Sequence, residues 1–437
     1  MKQVFLIHGW SVTSTETYRE LHSKLAEHGW QLEHVHLGRY VSLDNAIEIR
    51  DLAMGLQRAL VDALGPPPWN DRIHFITHST GALILRHWVV HHYRDALAST
   101  KAVGNIVFLA GPHGGSRLAH HGRSMIAAVR FLGDTGHRLL NALELGSEFT
   151  WQSNTEWMNP EHWAGKGIRA FCLTGDRVEL DSLAQRIFSA GREAGSDMVV
   201  RVPAANLNMR RYRVLAAEGT IEQVGGISGA PFAALTRYTH SGPEHGIMNS
   251  ISSAADPQRP EWQNLQLILD CLGVDSHEDL DRARRKLEAA NAHPKRKGPY
   301  AQLVFRFVDQ HDQPIKDFRM VLGRGKDESA GAVEHVHKNQ LCGNRLVAFI
   351  NVDKLDRRYG YFMEFHAETD SPLTSYQPET FRLDLPRQYF EEIVRPDEVT
   401  EIEVVLPKAP RPELFRFSDA ESQPGHLRWG RDGSLKD

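Results

Sequence analysis

The chain has 437 residues, of which 41% are hydrophobic and 24% are charged. These ordinary globular values exclude a wholly disordered, collagen-like or coiled-coil protein. Lysine and arginine total 51 against 55 aspartates and glutamates, so a protein that coats nucleic acid is not expected. The three cysteines, Cys172, Cys271 and Cys342, are too widely spaced to indicate a disulfide framework or a cysteine-based zinc site.

The N-terminal apolar segment is short. Val4 to Ile7 is followed at once by His8-Gly9, which is typical of a buried first strand and not of a signal peptide. No run approaches the roughly 20 apolar residues that a membrane-spanning helix needs. The expected compartment is therefore the cytoplasm, with export by a signal-independent route left open.

Up to about Ala292, short apolar segments alternate with helical ones, a pattern that predicts a parallel sheet with helices on its faces. Gly65 follows one apolar-periodic run and is a helix stop signal. The predicted strands are Val4 to Ile7, Gln31 to Leu37, Ile73 to Thr77, Asn105 to Ala110, Ile168 to Leu173 and Phe232 to Tyr238. The predicted helices are Tyr18 to His28, Asn45 to Leu64, Gly81 to Leu97, Glu261 to Leu272 and Glu278 to Ala290.

The polar, helix-breaking stretch from His293 to Pro299 is the predicted linker to a second domain. Beyond it, short alternating segments such as Leu346 to Val352 predict an all-β, sandwich-like domain. The expected organisation is a catalytic domain over 1–293 with a helical cap inserted at about 117–149, a β domain over 300–408 and an irregular tail over 409–437.

The segment from Ile73 to Gly81 carries the sharpest chemical signal. Ser79 stands between a predicted strand and a predicted buried helix, with a small residue two positions before and two after, which is typical of a nucleophile elbow. Gly81 fits this pattern, whereas Thr77 departs from the usual glycine. The alternative is that this serine only caps an ordinary helix.

A second turn supports the catalytic interpretation. His8-Gly9-Trp10 follows the first strand, and the backbone N–H groups of Trp10 and Thr80 are the predicted oxyanion-hole donors. In well-studied enzymes each such donor contributes about 3 to 4 kcal/mol to catalysis. We assign His8 a structural role in bracing the loop.

An acid and a histidine are expected on later loops. Asp197 is the preferred acid because a small-residue loop delivers it ahead of the branched pair Val199-Val200; Asp176, at the end of a predicted strand, is the alternative. His245 is the preferred base because it follows the last predicted strand, with His240 second. The imidazole would accept the serine proton while the carboxylate fixes its tautomer.

Four segments follow one another along the chain: Val-Phe-Leu-Ile-His-Gly at the start, then Thr-His-Ser-Thr-Gly, Gly-Ser-Asp-Met-Val-Val and His-Gly-Ile-Met. Over about residues 1–290 the chain thereby resembles the α/β-hydrolase superfamily, specifically its bacterial lipase-like branch. The resemblance implies hydrolysis of carboxylic esters through an acyl-enzyme by Ser79, Asp197 and His245, without a cofactor. Thr77 and the long stretch between Asp197 and His245 depart from the plain family pattern.

The segment from Arg117 to Gly146 mixes apolar residues with arginines. It is either a lid over an acyl-binding groove or a helix pair packed permanently on the core. A lid would make a lipid or phospholipid ester the expected substrate and the cap a candidate for contact with a membrane surface. The C-terminal domain is a candidate for binding a partner, a polysaccharide or a membrane.

Other classes share these features. A thioesterase, amidase or acyltransferase would use the same triad, and a hydrolase domain can also serve as a non-catalytic binding scaffold. His87 and His91 have the spacing of two zinc ligands on one helix face, but Trp88 stands where the HExxH motif requires glutamate. We therefore predict no metal site and interpret these histidines as ordinary surface or core residues.

Overall fold

The computed structural model describes residues 2–9, 18, 20–35, 44–69, 72–93, 102–116, 136–177, 194–241, 245–248, 263–294, 296, 298–327, 331–356, 358–411, 428–429 and 435–436. Trp10, the larger part of the predicted cap (117–135) and most of the predicted tail lie outside these residues. Within the described part, no helix is both long enough and apolar enough to cross a membrane.

The secondary structure follows the predicted alternation through the first three hundred residues and then becomes mainly β. The strands are β1 Lys2–Ile7, β2 Trp30–Val35, β3 Ile73–His78, β4 Val103–Leu109, β5 Arg169–Gly175, β6 Met209–Leu215, β7 Thr220–Ile227, β8 Phe232–Leu235, β9 Tyr300–Val308, β10 Phe318–Arg324, β11 Val333–Lys338, β12 Arg345–Asn351, β13 Tyr361–Ala367, β14 Thr374–Tyr376, β15 Thr380–Leu385, β16 Val399–Val405, β17 Lys408–Pro410, β18 Arg428–Trp429 and β19 Leu435–Lys436. The helices are α1 Leu21–Glu27, α2 Ile49–Leu64, α3 Gly81–His91, α4 His137–Leu143, α5 Glu148–Met158, α6 Val202–Ala205, α7 Asn264–Leu272, α8 His277–Asn291 and α9 Arg387–Ile393.

A parallel sheet carries the candidate site. Its strand order is β2-β1-β3-β4-β5-β8, and every pairing within it is parallel. Strands β3 and β4 are buried along their whole length, as expected for a sheet covered by helices on both faces. The carboxyl ends of such strands share one edge, where open α/β sheets bind their ligands.

The helices pack on this sheet through apolar stripes. Helix α2 buries Leu52, Leu56 and Leu60 at helical spacing, and its N-terminus is fixed by a capping box between Glu48 and Asp51. Helix α3 is buried around most of its circumference, which confirms the predicted central helix. The strand and helix that flank Ser79 are therefore packed on several sides.

The described part of the cap packs on the core. Helix α4 buries Leu139, Leu140 and Leu143, and the guanidinium of Arg138 lies 3.0 Å from a carboxylate oxygen of Glu48. Residues 137–143 thus contact the start of α2, and the choice between a lid and a permanently packed helix pair falls on 117–135, outside the described residues.

The chain divides into two compact units. The first comprises 1–210, 225–302 and 395–399, and the second comprises 211–224, 303–394 and 400–437. Residues 211–224, which were predicted to belong to the first domain, lie in the second unit. Residues 300–302 and 395–399, which were predicted to belong to the β domain, lie in the first unit. Strands β6 and β7, which include the residues that pass into the second unit, were not predicted from the sequence.

The second unit is a β-rich domain, as predicted. One sheet has the order β11-β12-β9-β16-β6-β7 and another the order β10-β13-β15. Aromatic side chains join them: the ring of Phe307 on β9 lies 3.9 Å from Phe318 on β10 and 5.8 Å from Phe365 on β13. Two sheets facing each other across an apolar layer form a sandwich.

The close approach of β5 to the following loop gives a stability prediction. A Cβ at Gly175 would overlap the carbonyl oxygen of Tyr238, whereas a Cβ at Gly55, inside α2, meets open space. Gly175→Ala should lower the free energy of unfolding by about 3 kcal/mol, because the backbone must shift to relieve the overlap. The control Gly55→Ala should raise it by about 0.5 to 1 kcal/mol, because alanine favours the helix. Urea unfolding of both variants measures the difference; equal stabilities would contradict the packing.

Candidate active site

Ser79 occupies a strained turn at the carboxyl end of β3. Its φ angle is 54°, in the left-handed region that a residue with a side chain rarely adopts, and its N–H donates to the carbonyl oxygen of Leu109 at 3.0 Å. The side chain is partly exposed, although β3 before it and most of α3 after it are buried. This is the geometry predicted for a nucleophile elbow.

Two glycines allow the turn to close. A Cβ at Gly81 would lie 2.6 Å from the carbonyl oxygen of Ile7 and 2.8 Å from that of His8. A Cβ at Gly9 would lie 2.8 Å from the Cβ of Ser79. The first strand therefore passes so near the turn that only glycine fits at both positions, whereas Thr77 is accommodated as a fully buried residue of β3.

The backbone N–H of Thr80 stands at the beginning of α3. Within the described part of the chain it makes no hydrogen bond, and the helix N-terminus favours negative charge there. Trp10, the other predicted donor, lies outside the described residues. His8 is buried with its ring centroid 4.5 Å from that of Tyr18, a packing contact that agrees with a structural role.

The carboxylate of Asp197 is fully buried and accepts three hydrogen bonds. Oδ1 accepts from the N–H groups of Val199 at 2.9 Å and Val200 at 2.7 Å. Oδ2 accepts from Nδ1 of His240 at 2.9 Å. These three hydrogen bonds fix the carboxylate in place, and the third orients the imidazole of His240.

The loop that carries this acid depends on distant residues. Gly195 has a φ of 75°, and a Cβ there would overlap the ring of Tyr300. The hydroxyl of Ser116 donates to the carbonyl oxygen of Val199 at 2.6 Å. Met198 has a φ of 86°, so the loop stores backbone strain directly beside the acid.

The histidine that meets Asp197 is His240, the second choice of the sequence analysis, and not the preferred His245. Its backbone N–H also donates to the carbonyl oxygen of Asp197 at 2.9 Å. With Nδ1–H given to the carboxylate, the neutral ring presents the lone pair of Nε2 for proton transfer.

His245 closes the same loop through its backbone. Its carbonyl oxygen accepts from the N–H of Thr239 at 2.9 Å, and Ile247 and Met248 behind it are buried. The sequence His-Gly-Ile-Met is thus an apolar anchor of the loop.

His78, which the sequence patterns did not single out, links the turn at Ser79 to His240. Its Nε2 donates to the carbonyl oxygen of His240 at 3.1 Å, and the two rings lie 4.9 Å apart. Burial lowers the pKa of His78 to about 3, so the ring stays neutral and keeps this donor. Because His78 directly precedes Ser79, His240 lies beside the turn.

Asp176, the alternative acid, lies at the end of β5 and is buried. Its backbone N–H donates to the carbonyl oxygen of Leu235 at 3.2 Å. The Nδ1 atom of His240 points to Asp197 instead. Within the described residues, the structure thus brings the preferred acid together with the second-choice histidine.

Known structures show the same fold. Phospholipase PlaB from Legionella pneumophila, solved in complex with thio-NAD, aligns with a TM-score of 0.82 and 24% identity over 100% of both chains. A second structure of PlaB aligns with the same TM-score and identity over 97% of each chain. Lipase BlEst2 from Bacillus licheniformis aligns far less well, with a TM-score of 0.34 and 14% identity over 47% of this chain and 79% of its own.

No protein-family model matches the sequence, and no match was found among curated proteins. The full-length structural similarity confirms the α/β-hydrolase fold with its additional β domain. At this level of identity, similarity establishes the fold, and the chemistry must be argued from the site.

The buried histidines around the sheet predict acid sensitivity. Burial lowers the pKa of His78 to about 3 and that of His74 to about 4, and it lowers the pKa of His113 well below its usual value. These groups are neutral in the folded chain but take up protons when unfolded below about pH 6.5. The free energy of unfolding should therefore fall as pH decreases below about 6.5, by up to about 1.4 kcal/mol per pH unit for each histidine.

Urea unfolding between about pH 7 and about pH 5 measures this slope. His78→Gln keeps a side-chain N–H donor but cannot titrate. In this variant the free energy of unfolding should change less with pH, and the difference should equal the contribution of one histidine. Stability that is constant or rises toward acid pH would contradict the assignment.

Proposed function

We propose that this chain is a serine hydrolase that cleaves carboxylic esters of lipids, with Ser79 as nucleophile, His240 as general base and Asp197 as the acid that orients it. One observation carries the proposal: the strained, partly exposed Ser79 directly follows His78, whose ring lies 4.9 Å from that of His240, and Nδ1 of His240 donates to the buried carboxylate of Asp197. The base assignment moves from His245 to His240 because of that hydrogen bond.

In the acylation step, Oγ of Ser79 attacks the ester carbonyl carbon while Nε2 of His240 takes the hydroxyl proton. Asp197 remains ionised and stabilises the imidazolium. The tetrahedral intermediate then expels the alcohol, which receives the proton from His240. An acyl group is left on Ser79.

Water completes the cycle. Nε2 of His240 removes a proton from water, which attacks the acyl carbon, and the carboxylic acid leaves as Ser79 regains its proton. The oxyanion of each tetrahedral intermediate is stabilised by the N–H of Thr80 at the N-terminus of α3, and we assign the second donor to Trp10. No residue in this sequence of steps needs a metal or a cofactor.

The similarity to a phospholipase over the whole of both chains supports a phospholipid or another lipid ester as substrate. The Legionella protein was solved with thio-NAD, but no step above uses a nucleotide. A soluble nitrophenyl ester tests the chemistry separately from the choice of lipid. Phospholipid vesicles then test the substrate class.

Ser79→Ala should abolish ester hydrolysis because no other group replaces its Oγ. We expect a loss of at least about a thousandfold in kcat/KM on short-chain nitrophenyl esters and on phospholipid vesicles. The matched control is Ser23→Ala, at an exposed site on α1, which should retain full activity. Circular dichroism verifies folding. Undiminished hydrolysis by a folded Ser79→Ala protein would refute the mechanism.

The base assignment is tested by parallel variants. Asp197→Asn and His240→Ala should each lower kcat by about four powers of ten, because the first loses the correct tautomer and the second the proton acceptor. His245→Ala and Asp176→Asn, at the competing positions, should change kcat by no more than about threefold. The reverse pattern between the two histidines would restore His245 as the base.

A further inference from the structure

Two helices bring together nitrogen and oxygen donors away from the nucleophile. His87 and His91 are one turn apart on α3, with ring centroids 4.0 Å apart. Glu156 projects from α5, and its Oε1 lies 3.1 Å from Nε2 of His91. One donor atom from each of the three residues lies within 4.8 Å of the other two.

This donor set matches a known class of metal site. Two imidazole nitrogens and one carboxylate oxygen, with a fourth position for water, are typical zinc ligands, at bond lengths of about 2.0 to 2.2 Å. In a tetrahedral site the ligand atoms are about 3.3 Å apart, so modest side-chain rotation would close the present arrangement around an ion. Hard cations such as Mg²⁺ prefer oxygen ligands alone.

Neighbouring residues orient the carboxylate of Glu156 and leave the cluster accessible to an ion from solvent. Nε2 of Gln152, one turn before Glu156 on α5, donates to the same Oε1 at 3.2 Å. Such outer hydrogen bonds fix the orientation of metal ligands. The side chain of His91 is 38% exposed and that of Glu156 is 16% exposed, so an ion and its water can enter from solvent.

A plain ion pair between His91 and Glu156 would account for only part of this cluster. Exposed pairs of this kind contribute little to stability. The ring of His87, tilted by 34° against that of His91, takes no part in such a pair, whereas it completes a set of three ligands.

We infer that His87, His91 and Glu156 bind a divalent transition-metal ion of the zinc class and thereby tie the end of α3 to α5. His87 is eight residues from Ser79, about 12 Å along the helix, so the ion is remote from the ester chemistry. Its effect is to stabilise the helix that begins at the nucleophile turn. The inference is independent of the proposed function.

The test uses the full chain without an affinity tag, treated with chelator and then titrated with zinc chloride in a calorimeter. One ion per chain should bind, and zinc should raise Tm by about 3 °C. Cobalt(II) should give the intense visible absorption of a tetrahedral site. Mg²⁺ should cause neither change.

Variants locate the ion. His91→Ala, at an exposed position, and the conservative Glu156→Gln should each weaken zinc binding by at least about tenfold, and His87→Ala should do the same. The control His277→Ala removes an exposed histidine at the start of α8 and should leave binding unchanged. Binding that persists in folded His91→Ala and Glu156→Gln, or no stoichiometric binding by the unmodified chain, would overturn the inference.

Discussion

The left-handed backbone at Ser79 is the constraint on which the site depends. A non-glycine residue in that conformation costs on the order of 1 to 3 kcal/mol and persists only where its surroundings enforce it. Here the enforcement is steric: Gly9 and Gly81 let the first strand and the buried helix close on the turn, and Leu109 accepts its N–H. Packing of the parallel sheet thereby holds one hydroxyl where it is partly exposed.

The sequence predicted most of what is local. The strands and helices of the sheet, the turn at Ser79 and the acid loop at Asp197 all follow from short-range patterns. The spacing of apolar residues along the chain predicts the strands and helices, and small residues predict the sharp turns between them. The predicted strand ends differ from the observed ones by a few residues, because fraying ends carry little apolar signal.

The sequence could not predict contacts between residues that are far apart along the chain. His240 and His245 follow the same strand, and only coordinates show which ring reaches Asp197. The strands β6 and β7 escaped prediction for the same reason: Arg211 and Glu401, which pair within the second unit, are separated by 190 residues. Glu156 likewise meets His91 across 65 positions, so sequence alone showed two possible ligands without a third.

The acid loop also explains why residues near 300 and 397 belong to the first unit. Tyr300 lies against Gly195, and the carbonyl oxygen of Asp397 accepts from the side-chain amide of Asn206 at 2.7 Å. Arg296 in turn binds the carboxylate of Asp397. The strained acid loop is therefore braced by segments that follow the predicted linker. A chain cut at residue 293 would lack those contacts, so the loop that carries Asp197 depends on residues that follow the predicted linker.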